Sequence, residues 1–178
     1  YWTNEMKLSL EEYISKGGKV VFAGGNNIFK EVKYNDFGIE LIHSYTQEDI
    51  SPVIGTYFTG KAIPTYASFK VENSKHWVFK DTGLKNGDEF AQTSSNHRPE
   101  ESVQGASGWE ADQTSIYSVG FEVIAKGTNK YGGAHMVFKD TSNGGWVFNA
   151  SSIPFTGALF SDTVVSQIML NLLTSEAD

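Results

Sequence analysis

Cysteine is absent from the 178-residue chain. That removes disulfides, thiolate metal sites and a cysteine nucleophile, and leaves the cellular compartment undecided, with the cytoplasm slightly favoured. Positive charge is scarce too: 14 Lys and Arg stand against 21 Asp and Glu, for a net charge of −7. No basic stripe exists to neutralise phosphates, so a nucleic-acid partner is not expected. No apolar run approaches the ~20 residues of a membrane span, and Tyr1-Trp2-Thr3-Asn4-Glu5 has neither the charged start nor the apolar core of a signal peptide. A membrane partner is not expected either. An initial methionine is also missing, and the expectation is one domain over residues 1–178 cut from a longer chain.

Several catalytic fingerprints are lacking as well. The strand that ends at Gly24-Gly25 is followed by neither G-x-G-x-x-G nor G-x-x-x-x-G-K-[ST]. Gly105-Ala106-Ser107-Gly108 is one residue short of the G-x-S-x-G elbow. The four histidines, His43, His76, His97 and His135, show no H-E-x-x-H or i, i+4 spacing that would favour zinc. Asp81-Thr82-Gly83-Leu84-Lys85-Asn86-Gly87-Asp88-Glu89 does not meet the spacing of a calcium loop.

What is present is organised around Gly18-Lys19-Val20-Val21-Phe22-Ala23-Gly24-Gly25-Asn26-Asn27. Val20 to Ala23 are apolar without alternation, which predicts a central strand covered on both faces in an α/β layer. Open α/β sheets bind ligands beyond the carboxyl ends of their strands, so Gly24 and Gly25 are candidates for shaping a pocket floor. Before this strand, Met6, Leu10, Tyr13 and Ile14 mark one stripe of a helix from Thr3 to Lys16, with Thr3 as N-cap and Gly17-Gly18 as stop.

Further along, Ile39 to His43 reads as a short strand after an Asn35-Asp36-Phe37-Gly38 turn, Ser51-Pro52 as a turn, and Val53 to Phe58 as another strand. His76-Trp77-Val78-Phe79-Lys80-Asp81-Thr82 and His135-Met136-Val137-Phe138-Lys139-Asp140-Thr141 agree at six of seven positions, and each reads as a strand running into a polar turn. From Thr82 to Gln113 the chain is too long and polar for an ordinary connection, and loops beyond ~12–15 residues are usually functional or disordered. It closes on Gly108-Trp109-Glu110-Ala111-Asp112, two carboxylates beside a tryptophan. Three apolar runs then start at Phe121, Ala134 and Trp146, the last two joined as a hairpin or tight turn. A final helix starts at Ser161 or Asp162 and should cover one face of the sheet.

In order, Tyr1-Trp2-Thr3, Phe22-Ala23-Gly24-Gly25-Asn26, His76-Trp77-Val78-Phe79, Thr82-Gly83-Leu84, Gly87-Asp88, Gly108-Trp109-Glu110-Ala111-Asp112, Gly145-Trp146-Val147-Phe148-Asn149-Ala150 and Asn171-Leu172-Leu173 form a set that runs almost end to end. The set resembles the carboxyl-terminal domain of the large (beta) subunit of N,N-dimethylformamidase and its bacterial relatives. The resemblance implies a three-layer α/β sandwich like part of the class I glutamine amidotransferase (flavodoxin-like) fold, with an added β-rich excursion and without the amidotransferase cysteine. It implies metal-assisted hydrolysis of a small amide at a mononuclear ferric ion held by two tyrosines and a glutamate. A hard trivalent ion prefers such anionic oxygen donors.

Carried onto this chain, the resemblance makes Tyr1 and Glu110 the metal ligands, with the second tyrosine expected upstream. Asn26 and Asp112 become the polar groups that orient water or substrate, and Gly24, Gly25 and Trp109 border the substrate. The expected partners are a small-molecule amide and either a second copy or a small partner subunit. The reading from another class is a non-catalytic module that binds carbohydrate through Trp77, Trp109 and neighbouring aromatics, residues that make up 13% of the chain with the other aromatics.

Overall fold

The computed structural model describes residues 1–60, 65–95 and 102–175. His97 lies outside the described residues, as does part of the long connection between Thr82 and Gln113. The chain opens with α1 (Asn4–Ser15), where the Thr3 hydroxyl accepts the Met6 N–H as predicted. Then come β1 (Lys19–Phe22), the hairpin β2 (Lys30–Asn35) and β3 (Gly38–Ser44), α2 (Gln47–Ile54) and the short strands β4 (Tyr57–Phe58) and β5 (Tyr66–Ala67). After these follow β6 (Phe69–Val71), a 3₁₀ turn at Trp77–Phe79, β7 (Glu89–Phe90), β8 (Ser94–Ser95), β9 (Ser102–Val103), β10 (Ser107–Gly108) and β11 (Asp112–Gln113). The chain finishes with β12 (Glu122–Gly127), β13 (His135–Asp140), β14 (Trp146–Asn149), a second 3₁₀ stretch at Ile153–Ala158, and α3 (Thr163–Thr174).

The main sheet has the order β1-β14-β13-β12-β6-β7, and within it only β1 and β14 run parallel. This overturns the flavodoxin-like three-layer α/β sandwich. The structure is mostly β, with one mixed sheet and several two-stranded ones. The physical reason lies in the connections: residues 128–134 and 141–145 are all that separates β12, β13 and β14. A parallel crossover needs a dozen or more residues, so these strands can only turn back antiparallel.

β1 is also not central. It stands at the edge of the sheet, and each of its residues is half-buried. Its side chains nonetheless divide two cores. Val21 and Ala23 face the larger one, with Phe138, Phe148, Val165 and Ile168, whereas Phe22 faces a smaller one of Ile28, Tyr45, Ile50, Val53 and Ile54. This strand alternation explains the apolar run without burial of both faces in one layer. α3 covers the sheet on the larger core, as predicted.

The expected turn at Ser51-Pro52 and strand from Val53 lie instead in α2 and the residues after it. Thr46 and Asp49 form a reciprocal capping box, Thr46 Oγ1 accepting the Asp49 N–H at 3.3 Å and Asp49 Oδ2 the Thr46 N–H at 2.7 Å. Pro52 removes one helical donor, and Gly55, left-handed at φ +83°, ends the helix soon after.

The two copies of the H-x-V-F-K-D-T heptapeptide part company. The second is β13, as expected. The first is not a strand but the 3₁₀ turn, because Asn171 of α3 donates to the Val78 and Lys80 carbonyls, at 2.9 and 2.7 Å, which a ladder would otherwise use.

The β2–β3 hairpin extends past the small core. Val32 is buried, but Tyr34, Ile39 and Leu41, in register on the same face, are 64%, 63% and 56% exposed, and Phe37 at the turn is fully exposed. Among the described residues, no helix is long and apolar enough to cross a membrane.

Candidate functional site

β1 and β14 are parallel neighbours, so their carboxyl ends open on the same side of the sheet. Gly24 to Asn27 leave β1 there, and Asn149 to Ser152 leave β14. The two strand ends are tied together. Asn27 Nδ2 donates to the Gly24 carbonyl at 3.0 Å and to Asn149 Oδ1 at 3.3 Å. Asn149 Nδ2 donates to the Ile54 carbonyl and to Thr56 Oγ1, both at 3.0 Å, and Asn149 Oδ1 accepts the Ser151 N–H at 2.8 Å. Asn149, Ser151, Ser152 and Thr56 are all fully buried, a polar network that satisfies its members internally.

The long connection returns to this point through β10 and β11. Ser152 Oγ accepts the Gly108 N–H at 3.0 Å and lies 2.7 Å from the Ala106 carbonyl. The Asp112 N–H donates to the Ser151 carbonyl at 2.8 Å. The Asp112 carboxyl, 1% exposed, accepts the Asn26 N–H with both oxygens, at 3.0 and 2.9 Å. Burial pushes the Asp112 pKa up to about 8; the Asn26 N–H opposes the shift and the Glu110 charge adds to it. Asp112 therefore holds a proton at neutral pH, unlike an ordinary carboxyl. It acts on Asn26 as a positioning residue.

The backbone is unusual at this junction. Asn26, Trp109, Glu110 and Ser151 all have positive φ, at 50°, 32°, 57° and 59°. Non-glycine residues persist there only where the surroundings dictate it, and such positions cluster at functional sites. Gly25 is pressed so closely on the Glu110 carbonyl that an added Cβ would lie 1.9 Å from the oxygen.

The sequence-predicted residues separate into those gathered here and those held elsewhere. Gly24, Gly25, Asn26, Trp109, Glu110 and Asp112 meet at this junction. The Tyr1-Trp2 motif joins through Trp2, whose indole Nε1 donates to the Asn27 carbonyl at 2.8 Å. Tyr1 itself is 68% exposed, its ring edge-on to Phe29 at 6.3 Å. Trp77 packs at the other ends of β1 and β14, edge-on to Trp146 at 5.8 Å, so Trp77 and Trp109 do not share a platform. Ser107 donates to Asn129 Oδ1 at 2.7 Å and accepts the Ala134 N–H at 3.0 Å in a buried structural role.

His76 and His135 are structural as well. His76 Nδ1 accepts the Val78 N–H, and His135 Nδ1 accepts the Thr114 N–H. Burial, with Lys126 adding to it, lowers the His135 pKa to about 4. Sequence reasoning missed Thr56, Asn149, Ser151 and Ser152 as site builders. The signal was there, since Trp146-Val147-Phe148-Asn149-Ala150-Ser151-Ser152 passes from apolar to small polar residues at a strand end, as β1 does.

Among the described residues, no group of three or more His, Asp or Glu side chains is placed to hold a metal ion. Tyr1 with Glu110 is a different donor set. Among the described residues, the Glu110 carboxylate and the Tyr1 hydroxyl make no hydrogen bond or ion pair that would compete for a cation. Residues 42–166 match the family described as N,N-dimethylformamidase beta subunit-like, C-terminal. No curated protein matches the chain.

Proposed function

Because the chain belongs to the N,N-dimethylformamidase beta subunit-like, C-terminal family, we propose that it is a domain of an amidohydrolase whose substrate is a small amide, and that the junction beyond β1 and β14 is its reaction site. The observation that supports this most directly is the meeting of the Gly24–Asn27 and Glu110–Asp112 segments through the bond from the Asn26 N–H to the buried Asp112 carboxyl. Tyr1 and Glu110 would hold a mononuclear ferric ion, for which two unpaired oxygen donors of this type are suited. When bound, the ion supplies Lewis acidity toward an amide carbonyl. In this reading the Asn26 side chain orients water or substrate, and Asp112 fixes Asn26 in its left-handed conformation. Gly24 and Gly25 let the backbone form the floor, and Trp109 borders the amide.

A ferric titration of the chain, followed by visible absorption, tests the donor set. The expected result is a saturable phenolate-to-iron band that is absent from both Tyr1→Phe and Glu110→Gln. A band that survives in either variant removes that residue from the set, and no band in the parent chain rejects the pair.

The family description is that of a subunit, and we extend the proposal to a second copy of the chain, which covers the apolar hairpin face of Tyr34, Ile39 and Leu41. Contiguous exposed apolar surface is a mark of interaction sites. Ile39→Thr with Leu41→Thr is expected to change unfolding stability by no more than about 0.5 kcal/mol, as for surface positions. Its concentration-dependent association, read by sedimentation, should weaken by about tenfold or more, since each side chain withdrawn from an interface forfeits about 1.5 kcal/mol or more. A large loss of stability would show that the face belongs to the fold and not to a partner.

A further inference from the structure

The amino ends of β1 and β14 carry a second feature, at the opposite end of the sheet from the Asn26–Asp112 junction and independent of it. A groove of about 740 Å³ lies there between α3, the first H-x-V-F-K-D-T copy and the end of the second. Trp77, half-buried, and Trp146, only 6% exposed, form its aromatic side. Neither indole Nε1 donates to a protein acceptor, and Tyr45 Oη is the fully buried polar side-chain atom without a partner among the described residues, so both indole N–H groups reach solvent.

The polar side is preorganised. Asn171 Nδ2 is held by the Val78 and Lys80 carbonyls, and Gln167 Nε2 donates to Asn171 Oδ1 at 2.8 Å, which leaves Gln167 Oε1 as an open acceptor. The two heptapeptide copies, different in conformation, bring their aspartates to the same groove. Asp81 and Asp140 both line it, and neither carboxylate has an ion-pair or hydrogen-bond partner among the described residues. Lys80 and Lys19 balance them in charge, and Lys19 Nζ is already committed to the Ser175 carbonyl at 2.6 Å.

We infer that this groove binds a neutral, hydroxyl-rich ring compound, a mono- or disaccharide unit. Its size is in the range of small-molecule sites, about 300–1,000 Å³. The exposed part of Trp77 covers one C–H face of a sugar ring, the indole N–H groups donate to its oxygens, and the two carboxylates with an amide carbonyl accept from its hydroxyls. The near balance of acidic and basic side chains disfavours a charged ligand, because either sign would leave a like charge facing it.

The test follows the four indole N–H resonances of the ¹⁵N-labelled chain by NMR. The probes are the methyl glycosides of glucose, galactose, mannose and xylose, then cellobiose and maltose, with tetramethylammonium chloride as a cation control. The expected result is saturable movement of the Trp77 and Trp146 resonances with at least one sugar and none with the cation, while Trp2 and Trp109 stay still. Asp81→Asn with Asp140→Asn, both exposed and outside the cores, should weaken that binding by about tenfold or more. No saturable movement with any sugar overturns the inference. So does movement with the cation alone, or binding unchanged in the double variant.

Discussion

Gly25→Ala is expected to destabilise the fold by about 3 kcal/mol or more, and Gly24→Ala, one residue earlier, to be close to neutral. The two glycines look equivalent in the sequence, yet their surroundings differ. A Cβ on Gly25 would lie 1.9 Å from the Glu110 carbonyl oxygen and 3.2 Å from Ser152 Cα, both backbone atoms that cannot rotate away. A Cβ on Gly24 meets only Asn27 Oδ1, at 3.3 Å, the movable end of a side chain. To admit alanine at 25, the segments leaving β1, β10 and β14 must separate, breaking the Asn26–Asp112 and Gly108–Ser152 bonds that join them. A domain of this size is stable by only about 5–15 kcal/mol, so the loss is a large fraction of the total. Urea unfolding of the two variants measures it. Equal midpoints would show that the junction is not as tightly packed as the contacts indicate.

Asp112 is expected to make the protein lose stability as pH rises. Its folded pKa is raised to about 8, while in the unfolded chain it returns to the ordinary value of 3.8. Between these values the folded state keeps a proton that the unfolded state releases. Stability therefore falls with increasing pH across that window, by on the order of 5 kcal/mol in total. Asp112→Asn cannot ionise, and its side-chain oxygen still accepts the Asn26 N–H. The difference in Tm between the two proteins, measured from pH 4 to pH 9, should grow in favour of the variant as pH rises. His135 slopes the other way, over a narrower range inside that window: its lowered pKa costs stability as pH falls from about 6.5 toward 4. Taking the difference between parent and Asp112→Asn cancels that contribution. A difference flat in pH would mean that Asp112 is ionised in the folded protein.

The candidate site was partly legible in the residues. Glycines and asparagines after an apolar strand, and two carboxylates beside a tryptophan at the end of a long polar stretch, both pointed to positions that the fold brings together. Nothing in the spacing of Asn26 and Asp112 stated that one would bond the other, because that contact spans 86 positions and depends on β11 pairing with β4. The burial that raises the Asp112 pKa has the same origin. The wider network of Thr56, Asn149, Ser151 and Ser152 was hidden because small polar residues at a strand end look like an ordinary turn until something packs over them.

Local chemistry in the sequence determined the elements whose stabilising groups are neighbours: α1 and α3 with their Thr3 and Asp162 caps, the Asn35–Gly38 turn, and the short links that force β12, β13 and β14 to run antiparallel. Those links are too short for the crossovers of a doubly wound sheet. Only the tertiary structure decided where β1 stands, since a short apolar run suits an edge strand dividing two cores as well as a central one. It also decided the fate of the repeated heptapeptide. Six identical residues of seven become a strand where β12 and β14 offer ladder partners, and a 3₁₀ turn where Asn171 takes the carbonyls. Backbone groups must be satisfied by whatever lies nearest in space, and that neighbour is not written in the segment itself.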